Sequence, residues 1–483
     1  LSGKPLARAI ENAKNMVKSV TTGGEMFEAL GFRYLGPFDG HNIEEMTHVF
    51  EEAKQVQDMP LLIHVITKKG YGYDLAERQP EKFHGVAPFR VENGMKRSQS
   101  SKESAAQAAG KELMNMAAED ARVVAVTAAK MNGMKASLDG FTIKNGSSQF
   151  GSVGSTTIGG VKFYQSYGAG IFIGNATVDI LNCKIVDNTD IRMGAIRVDA
   201  GAEALFDNCV VADNATKSTT TYNCGGLWAD GAKLLRINNC TFSNNKASGV
   251  APCIYVFGDT GGKTNVLISN TTISGNSVNP EHATLNGGGI YVRENGNLVI
   301  VNSTVYGNHS GKGGGIAVYG TAAKPSKAVI VSCTIAGNTT VTAGNGAGLQ
   351  QAAVGGAIEV YNTLISGNTT DGAADDVAWF KDASYKVANS IIGGTVYNAD
   401  GMAVAGAAFD PASMLSPLGD NGGATKTCVL LGDANPARQY GMSASELKIL
   451  GETLDPAFGE AVSAIDQTGA SRTGKTVIGA VVK

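Results

Sequence analysis

The sequence predicts a mainly β protein, a right-handed single-stranded parallel β-helix preceded by an incomplete α/β segment. Three observations lead there. Residues 1–130 hold 34 of the 83 Asp, Glu, Lys and Arg residues but only 11 of the 63 glycines, so the 483-residue chain joins two compositions. From Asn182 onward a unit of the type NCKIVDN returns every 26 to 32 residues, a period that belongs to stacked repeats. Before residue 130, by contrast, helical and strand-like patterns alternate, as in proteins with parallel strands.

The first segment is read in order. Ala7 to Lys18 has helical composition, and GFRYLGPFDGHN, from Gly31, is a short apolar run closing on a Gly-rich turn. IEEMTHVFEEAKQV then places Ile43, Met46, Phe50 and Ala53 on one helical face, with acids at the start where the helix dipole favours them. PLLIHVITKKG, from Pro60, has the continuous apolar pattern of a buried parallel strand. After a polar linker, residues 91–102, a second helix is expected over Ser104 to Ala118 and a second buried strand in ARVVAVTAA. These readings divide the chain at 1–90, 91–130, 131–410 and 411–483, with the seam inside Ala129 to Lys135.

In the repeat, aligned copies give columns. Ile180, Phe206, Ile237, Ile268, Ile300, Ile330 and Val360 form one, and Ile185, Val211, Phe242, Ile273, Val305, Ile335 and Ile365 another. Both are apolar throughout, so both are expected to face the core. Asn188, Asn214, Asn245, Asn276, Asn308, Asn338 and Asn368 form a third column. It is expected to supply left-handed corners and a ladder of stacked amides. Cys183, Cys209, Cys240 and Cys333 share a position with Thr271, Ser303 and Thr363, which predicts small internal side chains rather than zinc ligands, since no CxxC or Cys/His spacing occurs. With rungs about 4.8 Å apart, eight to ten coils make a rod roughly 40 to 50 Å long.

Two resemblances add to this. GPFDGHN, HVITKKGYGYDLAERQPEKFHGVAPF and DARVVAVTAA, in that order, closely resemble the 1-deoxy-D-xylulose-5-phosphate synthase family from about Gly23 to Ala129. The resemblance implies a transferase of isoprenoid precursor synthesis that uses thiamine diphosphate and Mg²⁺ and acts as a homodimer in the cytoplasm. Tyr73 would then sit at the cofactor and His84 would face the substrate, while Lys69 and Asp39 belong to the same motifs without an assigned role. That family's metal-binding Gly-Asp-Gly motif and its Glu in an Ile-Ala-Glu-Gln-His context do not occur in these 483 residues. LDGFTIKNG, LSPLGDNGGATKTCVLLGDANPA and DQTGASRTGKTVIGAV resemble bacterial surface β-helix proteins of the choice-of-anchor type, where the last two motifs close the solenoid with a final strand.

Function follows as an expectation with alternatives. The combination predicts a chimera, a synthase segment inactive in this chain fused to an adhesin-like or carbohydrate-binding surface rod. One alternative is a thiamine-diphosphate-dependent synthase completed by a partner chain. Another is a polysaccharide lyase or hydrolase, for which Asp187 and Asp213, at one position of adjacent coils and so about 5 Å apart, are the weak candidates for metal or acid/base work. His282 and His309 have no acidic partner at repeat spacing. Tyr222, Trp228, Tyr255 and Tyr291 follow the glycine-rich strands and either stack on sugar rings or fill the core. A net charge of -3 offers no basic surface for nucleic acid, no run of about 18 apolar residues predicts a membrane span, and no leader pattern opens the chain at Leu1, so the compartment stays open.

Overall fold

A computed structural model describes residues 31–56, 60–78, 135–147, 155–158, 161–164, 168–217, 223–249 and most of 251–482. The chain divides into two compact units, residues 1–103 and 104–483. The helices expected over 7–18 and 104–118, the strand ARVVAVTAA and all of the seam but Lys135 lie outside the described residues.

In the first unit Arg33–Asp39 pairs in parallel with Leu61–Ile66, and helix Ile43–Ala53 connects them. The helix starts where the sequence places acids: the Asn42 side chain accepts from the Glu45 N–H, and Glu44 and Glu45 occupy the first turn. The expected apolar face is only partly covered, because Met46 is buried but Ile43 is 78% and Phe50 49% exposed. The buried strand expected in PLLIHVITKKG is corrected in the same way. No residue of Leu61–Ile66 is fully buried, and Ile66 is 56% exposed. A parallel strand is covered on both faces only inside a wider sheet, and among the described residues this sheet has two strands.

The second unit is a parallel β-solenoid. Each coil contributes a strand to each of four sheets of eight, eight, nine and eleven strands. In one coil, Thr177–Leu181 runs to a corner at Asn182, Lys184–Val186 runs to a corner at Asp187, Thr189–Asp190 makes a two-residue strand, and Ile196–Val198 leads to the next coil. Both apolar columns face inward. Ile180 pairs with Phe206, Phe206 with Ile237, and so on to Val360, all buried, and the column Ile185 to Ile365 is fully buried beside it. Full burial of such a side chain stabilises by about 1.5–3 kcal/mol. Glycines before the fourth strand let coils approach: a Cβ on Gly315 would stand 2.4 Å from the Gly348 carbonyl oxygen.

The asparagine column forms the expected ladder. From Asn188 to Asn338, each Nδ2 donates to the Oδ1 of the asparagine in the next coil at 2.8–3.0 Å, and that Oδ1 also accepts from the donor's own backbone N–H. Gly146 N–H opens the ladder on Asn188 Oδ1, and Asp376 Oδ1 ends it by accepting both the N–H and the Nδ2 of Asn368. One part of the expectation is corrected, because the ladder asparagines are not the left-handed residues. Positive φ falls one position earlier, at Asp187, Asp213, Asn244, Gly275, Gly307, Gly337 and Gly367, and again at Asn182, Asn208, Asn239, Asn270, Asn302, Ser332, Asn362 and Asn389. A buried amide that must meet its neighbours above and below stays in ordinary backbone, while the more accessible residue before it makes the turn.

The cysteine column is a second ladder. Cys240 N–H donates to Thr271 Oγ1, Thr271 N–H to Ser303 Oγ, Cys333 N–H to Thr363 Oγ1 and Thr363 N–H to Ser390 Oγ, at 3.1–3.2 Å. The position therefore needs a small side chain that accepts from the next coil's neighbour and donates to a carbonyl, which Cys, Ser and Thr all do. All seven cysteines are free and buried, and burial pushes the thiols of Cys224, Cys333 and Cys428 up to about 12.

Beyond Asn389 the solenoid closes. Ser390–Ile392, Thr395–Tyr397 and Ala403–Ala408 form an antiparallel meander on the last coil, which covers a sheet edge that would otherwise pair further. The remaining chain turns back along the side of the rod. Thr272 Oγ1 donates to the Lys426 carbonyl, Thr304 Oγ1 donates to Gln467 Oε1, and Ala480 N–H donates to Thr334 Oγ1. Helix Ala444–Thr453, capped by Ser443 and Glu446, lays Leu447 against the outward residues Leu267, Val299, Val329 and Val331. The final strand expected in TVIGAV is corrected to an irregular segment held by these contacts and by Gly479 N–H on the Asn362 carbonyl.

Candidate functional site

The fourth strand of each coil alternates, and its outward residues form a row. Arg197 pairs with Trp228, Trp228 with Tyr255, Tyr255 with Tyr291, Tyr291 with Ala317, and Ala317 with Gln350. Two residues further along lies a parallel row in which Asp230 pairs with Phe257, Phe257 with Arg293, and Arg293 with Tyr319. These rows decide between the two readings of the aromatics. Trp228, Tyr255 and Tyr291 are 4%, 0% and 3% exposed, so they fill a cluster outside the main core with Met193, Cys224 and Ala251. Tyr222 and His282 lie outside the described residues.

The rings are ordered. Trp228 meets Tyr255 edge-on at 4.6 Å, and Tyr255 stacks on Tyr291 and on Phe257 at 5.4 Å each. Arg197 lies over Trp228 at 5.2 Å and bridges Asp199 at 2.5 Å and Asp230 at 3.0 Å. Arg293 lies over both Phe257 and Tyr319, at 5.7 and 5.5 Å, and pairs with Glu294 at 2.7 Å. The outer row is half-exposed, with Phe257, Arg293 and Tyr319 partly accessible and the Asp199 side chain 26% exposed. Sequence reasoning did not find Arg197, Asp199, Asp230 or Arg293, because their column changes chemistry from coil to coil: Arg197 aligns with Trp228, and Asp230 with Phe257 and then Arg293. Only the period-2 alternation of IRVD, LWAD, IYVF and IYVR marks them.

Asp190, at the edge of this cluster, is fully buried. Its Oδ1 accepts from the N–H groups of Arg192 and Met193 at 2.7 and 3.0 Å, while its Oδ2 has no partner. Desolvation pushes its carboxyl up to about 6. Because the folded state holds the proton more tightly than the unfolded chain, the stabilisation is complete below the ordinary value of 3.8 and is lost as pH rises through about 6. Asp190→Asn keeps the acceptor and removes the charge. It is expected to raise stability by about 2–3 kcal/mol at pH 7.5 and to change little near pH 4, as measured by urea unfolding at both values.

The other candidate residues are placed as follows. Asp187 and Asp213 are exposed, with φ of 55° and 57°, at the position that Asn244 and then glycines occupy in later coils. That exchange among Asp, Asn and Gly is the signature of a left-handed corner. His309 is half-buried and its Nδ1 bonds Thr339 Oγ1 at 2.8 Å. Among the described residues no group of three or more His, Cys, Asp or Glu is placed to hold a metal. In the first unit, half-buried Tyr73 sits in the turn before helix Asp74–Arg78, whose Ala76 and Glu77 N–H groups donate to its carbonyl. His84 lies outside the described residues. Asp39 accepts from the His41 N–H, and Glu77 is engaged by Lys68 and the Gly72 N–H, which hold its carboxyl below the usual range. These acids serve their own turns, and the described residues do not fit a diphosphate–Mg²⁺ site.

Comparison with known proteins divides the chain in the same two. Residues 1–67 match the family described as 1-deoxy-D-xylulose-5-phosphate synthase, and residues 123–257 and 253–392 match the family described as right handed beta helix region. Over 131 residues, 27% of its length, the chain is 49% identical to the 1-deoxy-D-xylulose-5-phosphate synthase of Caldanaerobacter subterraneus subsp. tengcongensis and 45% identical to that of Clostridium kluyveri. It covers 21% of each of these relatives, about a fifth of their length. No solved structure matches the chain.

Proposed function

Since the chain belongs to the right-handed β-helix family, we propose that it acts as a carbohydrate-binding rod of adhesin type, and that its synthase-like segment carries no thiamine-dependent activity in this chain. The observation that carries the binding role is the half-exposed row of Phe257, Arg293 and Tyr319 above ordered, buried rings. Rigid aromatic faces beside ion-paired polar groups are suited to a sugar, whose ring offers C–H bonds to a π-face and hydroxyls to charged acceptors. Asp187 and Asp213 belong to the corners of the rod under this reading, so neither acts as an acid or base.

The second part rests on the first unit, where the described residues form a two-stranded sheet and Ile43, Phe50 and Ile66 stay exposed, and on acids already engaged in their own turns. A partner-completed synthase would need that chain to cover Ile43, Phe50 and Ile66. One set of titrations on the full chain tests both parts. Glycan-array binding and quenching of intrinsic tryptophan fluorescence are expected with oligosaccharides, since Trp228 lies directly under the site. Thiamine diphosphate with Mg²⁺ is expected to leave the melting temperature unchanged. A saturable rise in melting temperature with the cofactor would overturn the second part, and a blank array the first.

A further inference from the structure

We propose that the ligand of the Phe257–Tyr319 face is a neutral oligosaccharide and not an acidic one; this rests on the carbohydrate-binding reading above. The ion pairs of the face join three cations, Arg197, Arg293 and Lys324, to three carboxylates, Asp199, Asp230 and Glu294. Each cation is already paired: Arg197 lies between Asp199 and Asp230, and Glu294 accepts Arg293 at 2.7 Å and Lys324 at 3.7 Å. A uronate chain would have to displace these carboxylates from their guanidinium partners, and it would approach a surface whose field is cancelled locally. A neutral sugar has no such competition, because its hydroxyls carry no charge and need displace neither member of an ion pair.

A second observation points the same way. Several buried side-chain atoms around this face have no hydrogen-bond partner: Trp228 Nε1, Arg192 Nε, Asn286 Oδ1, Gln350 Oε1 and Asp190 Oδ2. They belong to the face by register and contact. Gln350 continues the row of Tyr291 and Ala317, Asn286 Nδ2 donates to the Tyr291 hydroxyl, and Asp190 holds the N–H of Met193, which packs in the Trp228 cluster. Three of the five are acceptors and two are donors. Hydroxyls, or water ordered by them, satisfy such a set because each brings a donor, whereas a carboxylate brings acceptors alone. The rings supply the remaining selectivity, since Phe257 and Tyr319 flank Arg293 and present flat apolar edges to a pyranose face.

The full chain is titrated by calorimetry with neutral hexaoses (cellohexaose, xylohexaose, mannohexaose) and with an oligogalacturonate of the same length, at about 0.05 and 0.5 M NaCl. Binding of at least one neutral hexaose is expected, changing by less than about twofold across the salt range, with no binding of the oligogalacturonate. Phe257→Ala and Tyr319→Ala are each expected to weaken it about tenfold, and Phe257→Tyr to retain it. Salt-sensitive binding of the oligogalacturonate alone would overturn the neutral-ligand proposal while leaving the carbohydrate-binding role intact. No binding of either class would overturn both. These outcomes are read on the unaltered chain, so they stand even where an alanine variant fails to fold.

Discussion

Asn276→Ala is expected to cost about 3–5 kcal/mol, more than any exposed corner substitution in the rod. Asn276 sits in the middle of the amide ladder and makes four side-chain bonds. Its Nδ2 donates to Asn308 Oδ1 at 2.8 Å and to the Phe242 carbonyl at 3.2 Å, and its Oδ1 accepts the N–H and the Nδ2 of Asn245, each at 2.9 Å. Truncation leaves the Asn245 N–H and the Phe242 carbonyl buried without these partners, each at about 1–3 kcal/mol. Asn245 Nδ2 keeps its bond to the Val211 carbonyl, so the damage stays near one interface between coils. Repeats stabilise mainly their neighbours, and the expected signature is therefore a split unfolding transition with faster amide exchange at Asn245. Asn244→Gly, at the exposed left-handed corner one residue earlier, is the control and should stay within about 0.5 kcal/mol of the unaltered chain. Equal stability of the two variants would show that the ladder contributes nothing.

Arg472→Met is expected to release the segment that folds back along the rod. The Arg472 side chain is buried and holds the carbonyls of Val477 and Gly479 at 3.1 and 2.7 Å, and it reaches Asn302 Oδ1 at 3.4 Å. Burial lowers its guanidinium to about 10, which leaves it charged at neutral pH, with Asp466 acting to keep it so. Removing one member of such a buried set costs about 3–5 kcal/mol. The loss would free helix Ala444–Thr453 and uncover Leu267, Val299 and Val329. Limited proteolysis should then cut after residue 411 while residues 168–410 stay intact, with increased binding of a hydrophobic dye. Unchanged proteolysis would show that Gln467 and Asn362 hold the segment without it.

The inward columns of the solenoid were legible in the sequence because they repeat without exception, and a periodic signal averages over local noise. The left-handed corners were misplaced by one residue. Asp187, Asn244 and Gly275 look dissimilar as letters, whereas the invariant Asn beside them draws attention, yet the backbone requires small or amide-like residues in the dissimilar column. The candidate face was half-legible. Trp228, Tyr255 and Tyr291 stood out, but their burial depends on packing outside the core, which no repeat spacing encodes. The contacts of the closing segment were not legible: Thr272, Thr304 and Thr334 each follow the Cys/Thr/Ser position of the repeat, and nothing in that spacing shows that a segment over 100 residues later accepts their hydroxyls or donates to them. In the first unit the pattern of strand Leu61–Ile66 was correct, but burial is a property of the sheet around a strand, and among the described residues it has one neighbour.

The ladder also makes the rod directional. Every amide from Asn188 to Asn368 points its Nδ2 toward the carboxyl-terminal end, so the individual dipoles add, and the positive end of the stack meets the acceptor-only carboxylate of Asp376. Turning over a single amide would set two N–H groups against each other on one side and two oxygens on the other. The seven side chains therefore share one orientation, with a backbone donor at the Gly146 end and a carboxylate acceptor at the Asp376 end.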